Sequence, residues 1–179
     1  MQDPTATPLR LGNYEPLLEL ASGGMATVYV ARQVGAAGFE RIVVVKRVHR
    51  HLLGHRDFYD MFRDEARLVG MLSHANLASV HEVAADRGVA YIAMEYVAGA
   101  DLRELLAAAQ RAGTAIPYEA AIAIVIGAAA GLDHAHRRCG PDGRPLHLVH
   151  RDVSLSNIMV GHDGAVKVIV EVEVRILDP

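Results

Sequence analysis

His150-Arg151-Asp152-Val153-Ser154-Leu155-Ser156-Asn157 is the stretch that decides how this chain of 179 residues is read. Leu146 to Val149 leads into it and Ile158 to Val160 leads out, and both runs are apolar. Between them stand a carboxylate and, five positions on, a carboxamide, in a segment that cannot be regular helix or strand throughout. Reactive polar groups held between two buried anchors are the pattern of a catalytic loop. The chain on either side reads as the machinery that brings something to Asp152.

Just upstream, Cys139-Gly140-Pro141-Asp142-Gly143 is a turn cluster. Before it, Pro117 opens a helix that ends near Arg138. That helix contains the longest apolar run, Ala120 to Leu132, which is too short to span a bilayer and fits a buried core helix. Asp101 is the N-cap of an earlier helix, Leu102 to about Arg111. It follows Ala98-Gly99-Ala100, a glycine-flanked step from strand to helix that suits a hinge between two lobes. Asn76 to Val83 and Val89 to Tyr96 read as paired strands around a turn at Ala85-Asp86-Arg87-Gly88. Downstream, His162-Asp163-Gly164 is a turn and Ala165 to Ile169 a strand.

Nearer the N-terminus, Tyr14 to Leu20 is β-like. Ala21-Ser22-Gly23-Gly24-Met25-Ala26-Thr27-Val28 passes small residues into a β-branched run, which suggests two strands joined by a tight turn. Backbone with little side chain can approach a ligand closely and aim N–H groups at phosphate oxygens. An ordinary glycine hairpin fits the stretch as well. Arg41 to Val48 is a β-branched strand carrying Lys46. Asp57 to Ser73 reads as a helix with Phe62, Ala66, Val69 and Leu72 on one face. Glu65 borders that face, and an inward carboxylate needs a partner; Lys46 is the obvious one.

Composition narrows the field. The chain is 51% apolar and 22% charged, an ordinary globular balance. A net charge of −3 argues against a general nucleic-acid surface. The single cysteine, Cys139, excludes a disulfide framework and suits a reducing cytoplasm. Residues 1–13 read as a disordered leader, and neither a signal peptide nor a membrane anchor is apparent. The ten histidines include the groups His49, His51, His55 and His134, His136, at spacings that match no common zinc pattern. They are expected to be solvated or hydrogen-bonded, with no metal.

The order of these signals carries more than any one of them. A small-residue turn ending in Val28, a strand lysine, a helix glutamate, a strand-to-hinge step and an HRD…Asn loop follow the order of the protein-kinase signatures. From about Tyr14 to Ile169 the chain resembles a eukaryotic-like serine/threonine protein kinase of bacterial type. The resemblance implies an α+β fold. An antiparallel N-lobe sheet with its αC helix would span 14–97, and a partial, mainly helical C-lobe would span 98–169, before a divergent tail at 170–179. It also implies ATP and Mg2+ as cofactors and a protein Ser/Thr hydroxyl as acceptor.

Residue by residue, the resemblance implies that Ala21, Ser22, Gly23, Gly24, Met25 and the residues up to Val28 cover the ATP phosphates. Val28 and Val44 would lie above the adenine and Met159 below it. Lys46 would hold phosphates and pair with Glu65. Met94 would be the gatekeeper, Glu95 and Val97 would offer hinge backbone groups, and Asp101 would sit near the ribose. Asp152 would be the catalytic base and Asn157 a Mg2+ ligand, with His150 and Arg151 supporting the loop. Phosphoryl transfer asks for positioning and charge neutralisation more than covalent chemistry, and these residue types supply both.

Some positions depart from the family pattern. Ala21 and Ala26 replace two signature glycines, so the turn is expected to be stiffer. Ser154 stands where a lysine is usual. After Ile169 the pattern requires Asp-Phe-Gly, and the chain has Val170-Glu171-Val172. The sequence therefore reads as a kinase truncated before that motif, with slow or no phosphate transfer expected of the isolated chain. The second reading is a catalytically dead, pseudokinase-like ATP-binding or interaction fragment. Apolar surface on the Ala120–Leu132 helix is expected to promote self-association.

Overall fold

The computed structural model describes residues 10–53, 62, 68–86, 88–140, 142–146 and 148–170. Glu65, Ala66, most of the expected Asp57–Ser73 helix, His55, the first nine residues and the tail with Glu171 and Glu173 lie outside them. The chain divides into two compact units. The first holds the described residues up to Gly70, together with Val80–Tyr96. The second holds Met71–Ser79 and the described residues from Val97 on.

The first unit is built on β1 (Tyr14–Ser22), β2 (Ala26–Val34), β3 (Glu40–Val48), β4 (Val80–Asp86) and β5 (Val89–Glu95). A short helix, α1 (Arg50–Leu53), follows β3. The strands form one antiparallel sheet in the order β1-β2-β3-β5-β4. Runs such as Ile42-Val43-Val44-Val45 favour strand because branched side chains pack well on a pleated surface. Alternation sends Val43 and Val45 to a core face, where they are fully buried with Tyr14, Ala31, Tyr91 and Ala93. Tyr14 and Tyr91 meet edge to face at 5.7 Å. The Tyr14 hydroxyl donates to Glu82 Oε2 at 2.8 Å, and burial together with this carboxylate pushes the phenol well above its ordinary range.

The leader expected over residues 1–13 does not include Leu11 to Asn13, which are ordered against the sheet. Leu11 is buried against this core and exchanges two backbone hydrogen bonds with Tyr14. Gly12, at φ +56°, makes that reversal without a Cβ penalty. The β4 strand also starts later than expected, at Val80 rather than Asn76. Asn76–Ala78 instead bonds to the second unit's last strand: Val168 N–H donates to Asn76 O and Ala78 N–H to Val168 O, both at 2.9 Å. The Asn76 carboxamide adds a bond to Val166 O at 2.8 Å, which an apolar side chain could not make.

The second unit contains β6 (Gly99–Asp101), α2 (Leu102–Arg111), α3 (Tyr118–His136), β7 (Ile158–Gly161) and β8 (Val166–Val168). The strands form an antiparallel sheet in the order β6-β7-β8. At Gly99 a Cβ would run into the Val160 carbonyl, so the glycine that suggested a hinge serves a close backbone approach in β6–β7. Leu72, Leu77, Ala128, Ala135 and Val168 form the core, with Leu148 and Val170 packed at its margin.

The helix α3 is not buried all round, as its apolar run had suggested. Ala128, Gly131 and Ala135 are its buried residues, whereas Ile122, Val125 and Ile126 are each about three-fifths exposed or more, at 59%, 66% and 64%. Small residues define the packing face because the backbones come close: a Cβ on Gly131 would lie 2.6 Å from Asn76 O. Among the described residues α3 is also the one helix long and apolar enough to cross a membrane, a test that soluble core helices pass as well.

Candidate functional site

Within the first unit, the register collects many of the predicted nucleotide residues on one sheet face. Val28 pairs with Lys46, Val30 with Val44, and Val44 with Met94. Alternation along each strand then puts Val28, Val44, Lys46 and Met94 on the face opposite the Val43–Val45 core. Glu95 ends β5 beside Met94. The partner proposed for Lys46, Glu65, lies outside the described residues.

The turn between β1 and β2 is held by hydrogen bonds, not by glycine conformation. Neither Gly23 nor Gly24 has a positive φ, and a Cβ on Gly24 would meet nothing within 4 Å. Gly23 N–H donates to Ala26 O at 2.9 Å. His49, just past β3, donates its backbone N–H to Met25 O at 2.9 Å. Its ring lies with Nδ1 3.2 Å from Gly24 O and Nε2 3.1 Å from the hydroxyl of Thr27, which is buried and meets Ser22 Oγ at 3.1 Å. The sequence singled out His49 only as one of several histidines; nothing local showed that its ring reaches the turn.

In the second unit, the strand pairing β6–β7 sets Asp101 opposite Met159. Asp101 caps α2: its Oδ1 accepts Glu104 N–H at 2.7 Å, and Arg103 Nη2 lies 3.4 Å from Oδ2. Val97 precedes this strand. The catalytic-loop stretch winds through a 3-10 turn, Leu155–Asn157, into β7. Asn157 is buried, and its Nδ2 donates both to the Asp152 carbonyl at 3.0 Å and to Asp152 Oδ2 at 2.8 Å. Asn157 O also accepts Ile169 N–H at 2.8 Å.

His150 donates Nε2–H to Ile169 O at 2.8 Å, a carbonyl acceptor that fixes the tautomer. Asp152 N–H donates to His150 O at 2.8 Å. Arg151 sits between them at φ +61°, a conformation that L side chains rarely adopt. Such strain, on the order of 1–3 kcal/mol, persists where surrounding bonds over-determine the backbone. Here those bonds come from the residues on either side. The result is one Asp152 carboxylate oxygen tied to Asn157 and one left as an acceptor. Ser154, standing where a lysine is usual, turns its hydroxyl to Ser156 Oγ at 3.1 Å.

The donor set tests whether a metal fits. Both hydrogen bonds of the Asn157 side chain use Nδ2, so Oδ1 remains a hard oxygen beside the Asp152 carboxylate. No group of three or more His, Cys, Asp or Glu is assembled for a metal among the described residues. A single carboxamide oxygen suits a divalent metal ion that arrives with phosphates and keeps its waters, and does not make a closed cage. At position 170, where a further carboxylate is expected, the valine is packed against the apolar core.

A five-stranded antiparallel unit bearing Lys46 and a second unit bearing the Asp152–Asn157 loop are the parts of a protein-kinase-like fold. The chain belongs to the protein kinase domain family, whose model matches residues 14–170. It is 44% identical over 158 residues to the tyrosine-protein kinase MasK of Myxococcus xanthus, covering 88% of this chain and 24% of that protein. It is 32% identical over 157 residues to the serine/threonine-protein kinase PrkC of Bacillus subtilis, covering 88% and 22%. The crystal structure of the Mycobacterium tuberculosis PknI kinase domain matches with a TM-score of 0.72 at 25% identity, over 92% of this chain and 60% of that one. The chain thus spans about a quarter of the length of these curated relatives.

Proposed function

We propose that the chain carries the ATP-binding and catalytic-loop parts of a serine/threonine kinase. The turn at Ala21–Val28, Lys46 and the Val28–Val44–Met94 face are assigned to the nucleotide. Asp152 is assigned as the base, and Asn157 both holds that carboxylate and offers Oδ1 to Mg2+. The observation that carries the reading is the 2.8 Å bond from Asn157 Nδ2 to Asp152 Oδ2. It leaves the other carboxylate oxygen to orient a hydroxyl, which is the geometry general-base positioning needs.

In the reaction, the acceptor hydroxyl oxygen bonds to the γ-phosphorus while the bond to the bridging oxygen of ADP breaks. The hydroxyl proton goes to Asp152. Mg2+, when bound, neutralises phosphate charge. Serine or threonine is preferred as acceptor because PrkC and several further relatives are named for that activity, although MasK is named a tyrosine kinase. The cytoplasm, where ATP is available and the exposed Cys139 stays a thiol, is the proposed compartment.

A second reading, an ATP-binding pseudokinase, is favoured by Val170 and by Ser154. Incubating the chain with labelled ATP, Mg2+ and a basic protein, beside Asp152→Asn, separates the two. Slow transfer that the substitution abolishes supports the kinase; no transfer with a retained ATP-dependent thermal shift supports the pseudokinase. Phosphoamino-acid analysis of the product distinguishes serine and threonine from tyrosine.

A further inference from the structure

We propose that His49 is a positioning residue that aims the backbone of the β1–β2 turn at the nucleotide phosphates, an inference that rests on the ATP-binding reading above. The turn faces an electrostatic difficulty. A peptide presents a carbonyl as well as an N–H, and a carbonyl pointed at a phosphate repels it. In a trans peptide the two point in opposite directions, so fixing one fixes the other. His49 Nδ1 is 3.2 Å from Gly24 O, and because a carbonyl only accepts, the ring must donate there. That bond turns the Gly24 carbonyl toward β3 and the Met25 N–H away from it.

The next carbonyl, Met25 O, is taken by the His49 backbone N–H, and the next, Ala26 O, by Gly23 N–H. Three successive carbonyls are thereby engaged. The amides of Gly24 and Met25 donate to nothing among the described residues. This is a cluster of free donors of the kind that binds anions. With Nδ1 as donor, Nε2 is free to accept the Thr27 hydroxyl proton, and Thr27 Oγ1 then has lone pairs for Ser22. The relay is complete within the turn, and it leaves no polar atom of the clamp competing for phosphate. Glycine torsions do not set this shape, since neither Gly23 nor Gly24 has a positive φ. The side-chain clamp does.

The test compares wild type, His49→Ala and His49→Asn by titration with ATP and with adenosine, and by amide hydrogen exchange in the free protein. Asparagine can place a carboxamide N–H near the position of Nδ1 and restore the bond to Gly24 O. For His49→Ala we expect about tenfold weaker ATP binding, the order of one lost hydrogen bond, with adenosine affinity within about twofold. Exchange at Gly23, whose N–H closes the turn on Ala26 O, should quicken, and His49→Asn should recover most of the ATP affinity. Equal losses for ATP and adenosine, or Gly23 exchange unchanged in His49→Ala, overturn the proposal. A wild-type chain that binds neither ligand sinks the nucleotide reading instead, and takes the phosphate role with it; the exchange comparison then still decides whether His49 orders the turn.

Discussion

Asp152 owes its orientation to a single buried carboxamide. Removing it in Asn157→Ala leaves the carboxylate without its 2.8 Å donor and the Asp152 carbonyl without its 3.0 Å donor. A destabilisation of about 1–3 kcal/mol is expected, read from the midpoint of urea unfolding at unchanged slope. Any phosphate transfer should fall with it, because the proposed base loses its fixed geometry. Tyr14 sets a second test. Its folded state holds the phenolic proton more tightly than the ordinary value of 10.0 allows, through burial first and the Glu82 hydrogen bond second. That contribution is fully present below pH 10 and is lost as pH climbs through the higher folded value. Tyr14→Phe should cost about 2 kcal/mol at neutral pH, since a charge-assisted bond is removed, and should blunt the alkaline loss of stability. A tyrosine absorbance titration of the wild type that shows all its phenols ionising near pH 10 before unfolding would refute this account. At this scale the sequence was uneven. Asp152 and Asn157 could be read because their identities and spacing are the motif. His49 could not, because its ring partners lie 22 and 25 positions back, on a turn brought near only by the β2–β3 pairing.

Elements were legible where a periodic pattern ran uninterrupted. The strands β3 and β5 and the capped helix α2 follow directly from β-branched runs and from Asp101. The Asn76–Ser79 segment was misread as strand because its backbone partners are nearly a hundred residues away in β8, a distance no local pattern encodes. The same segment explains the glycines of α3. Glycine inside a helix is unfavourable relative to alanine by about 1 kcal/mol, so on propensity alone Gly131→Ala should stabilise α3. The packing reverses the sign. The new Cβ would lie 2.6 Å from the Asn76 carbonyl and 3.0 Å from Leu77 Cδ2, and the first of these is backbone that cannot swing aside. We expect a net loss of about 1–3 kcal/mol, the usual range for overpacking. Circular dichroism with thermal denaturation measures it directly; a raised melting temperature would mean that the Asn76 segment is not seated on this face. Gly127→Ala should behave alike, since its Cβ would meet Val166 Cβ at 2.9 Å.

For the molecule as a whole, family membership and the fold class were accessible from the order of motifs, and uncovered apolar surface on α3 was expected, whereas the side of the helix that carries it was not. Hydropathy reports that α3 is apolar but is silent on which side finds a partner. One side, Ala128, Gly131 and Ala135, is matched to the core. The other carries Ile122, Val125 and Ile126 at 59%, 66% and 64% exposure, with Tyr118 at 86% one turn earlier. Contiguous apolar surface of this kind is a liability in a monomer, because each exposed aliphatic side chain forfeits roughly 1.5–3 kcal/mol of burial free energy. A chain of these 179 residues should therefore self-associate as its concentration rises. Light scattering over a dilution series should show a molar mass that climbs with concentration. The double substitution Ile122→Lys/Ile126→Glu, at neighbouring positions one turn apart, should lower that mass toward the monomer value while leaving helix content unchanged, since both residues point to solvent and both replacements are good helix formers. A wild-type chain that stays monomeric throughout the series would show that this face needs no cover.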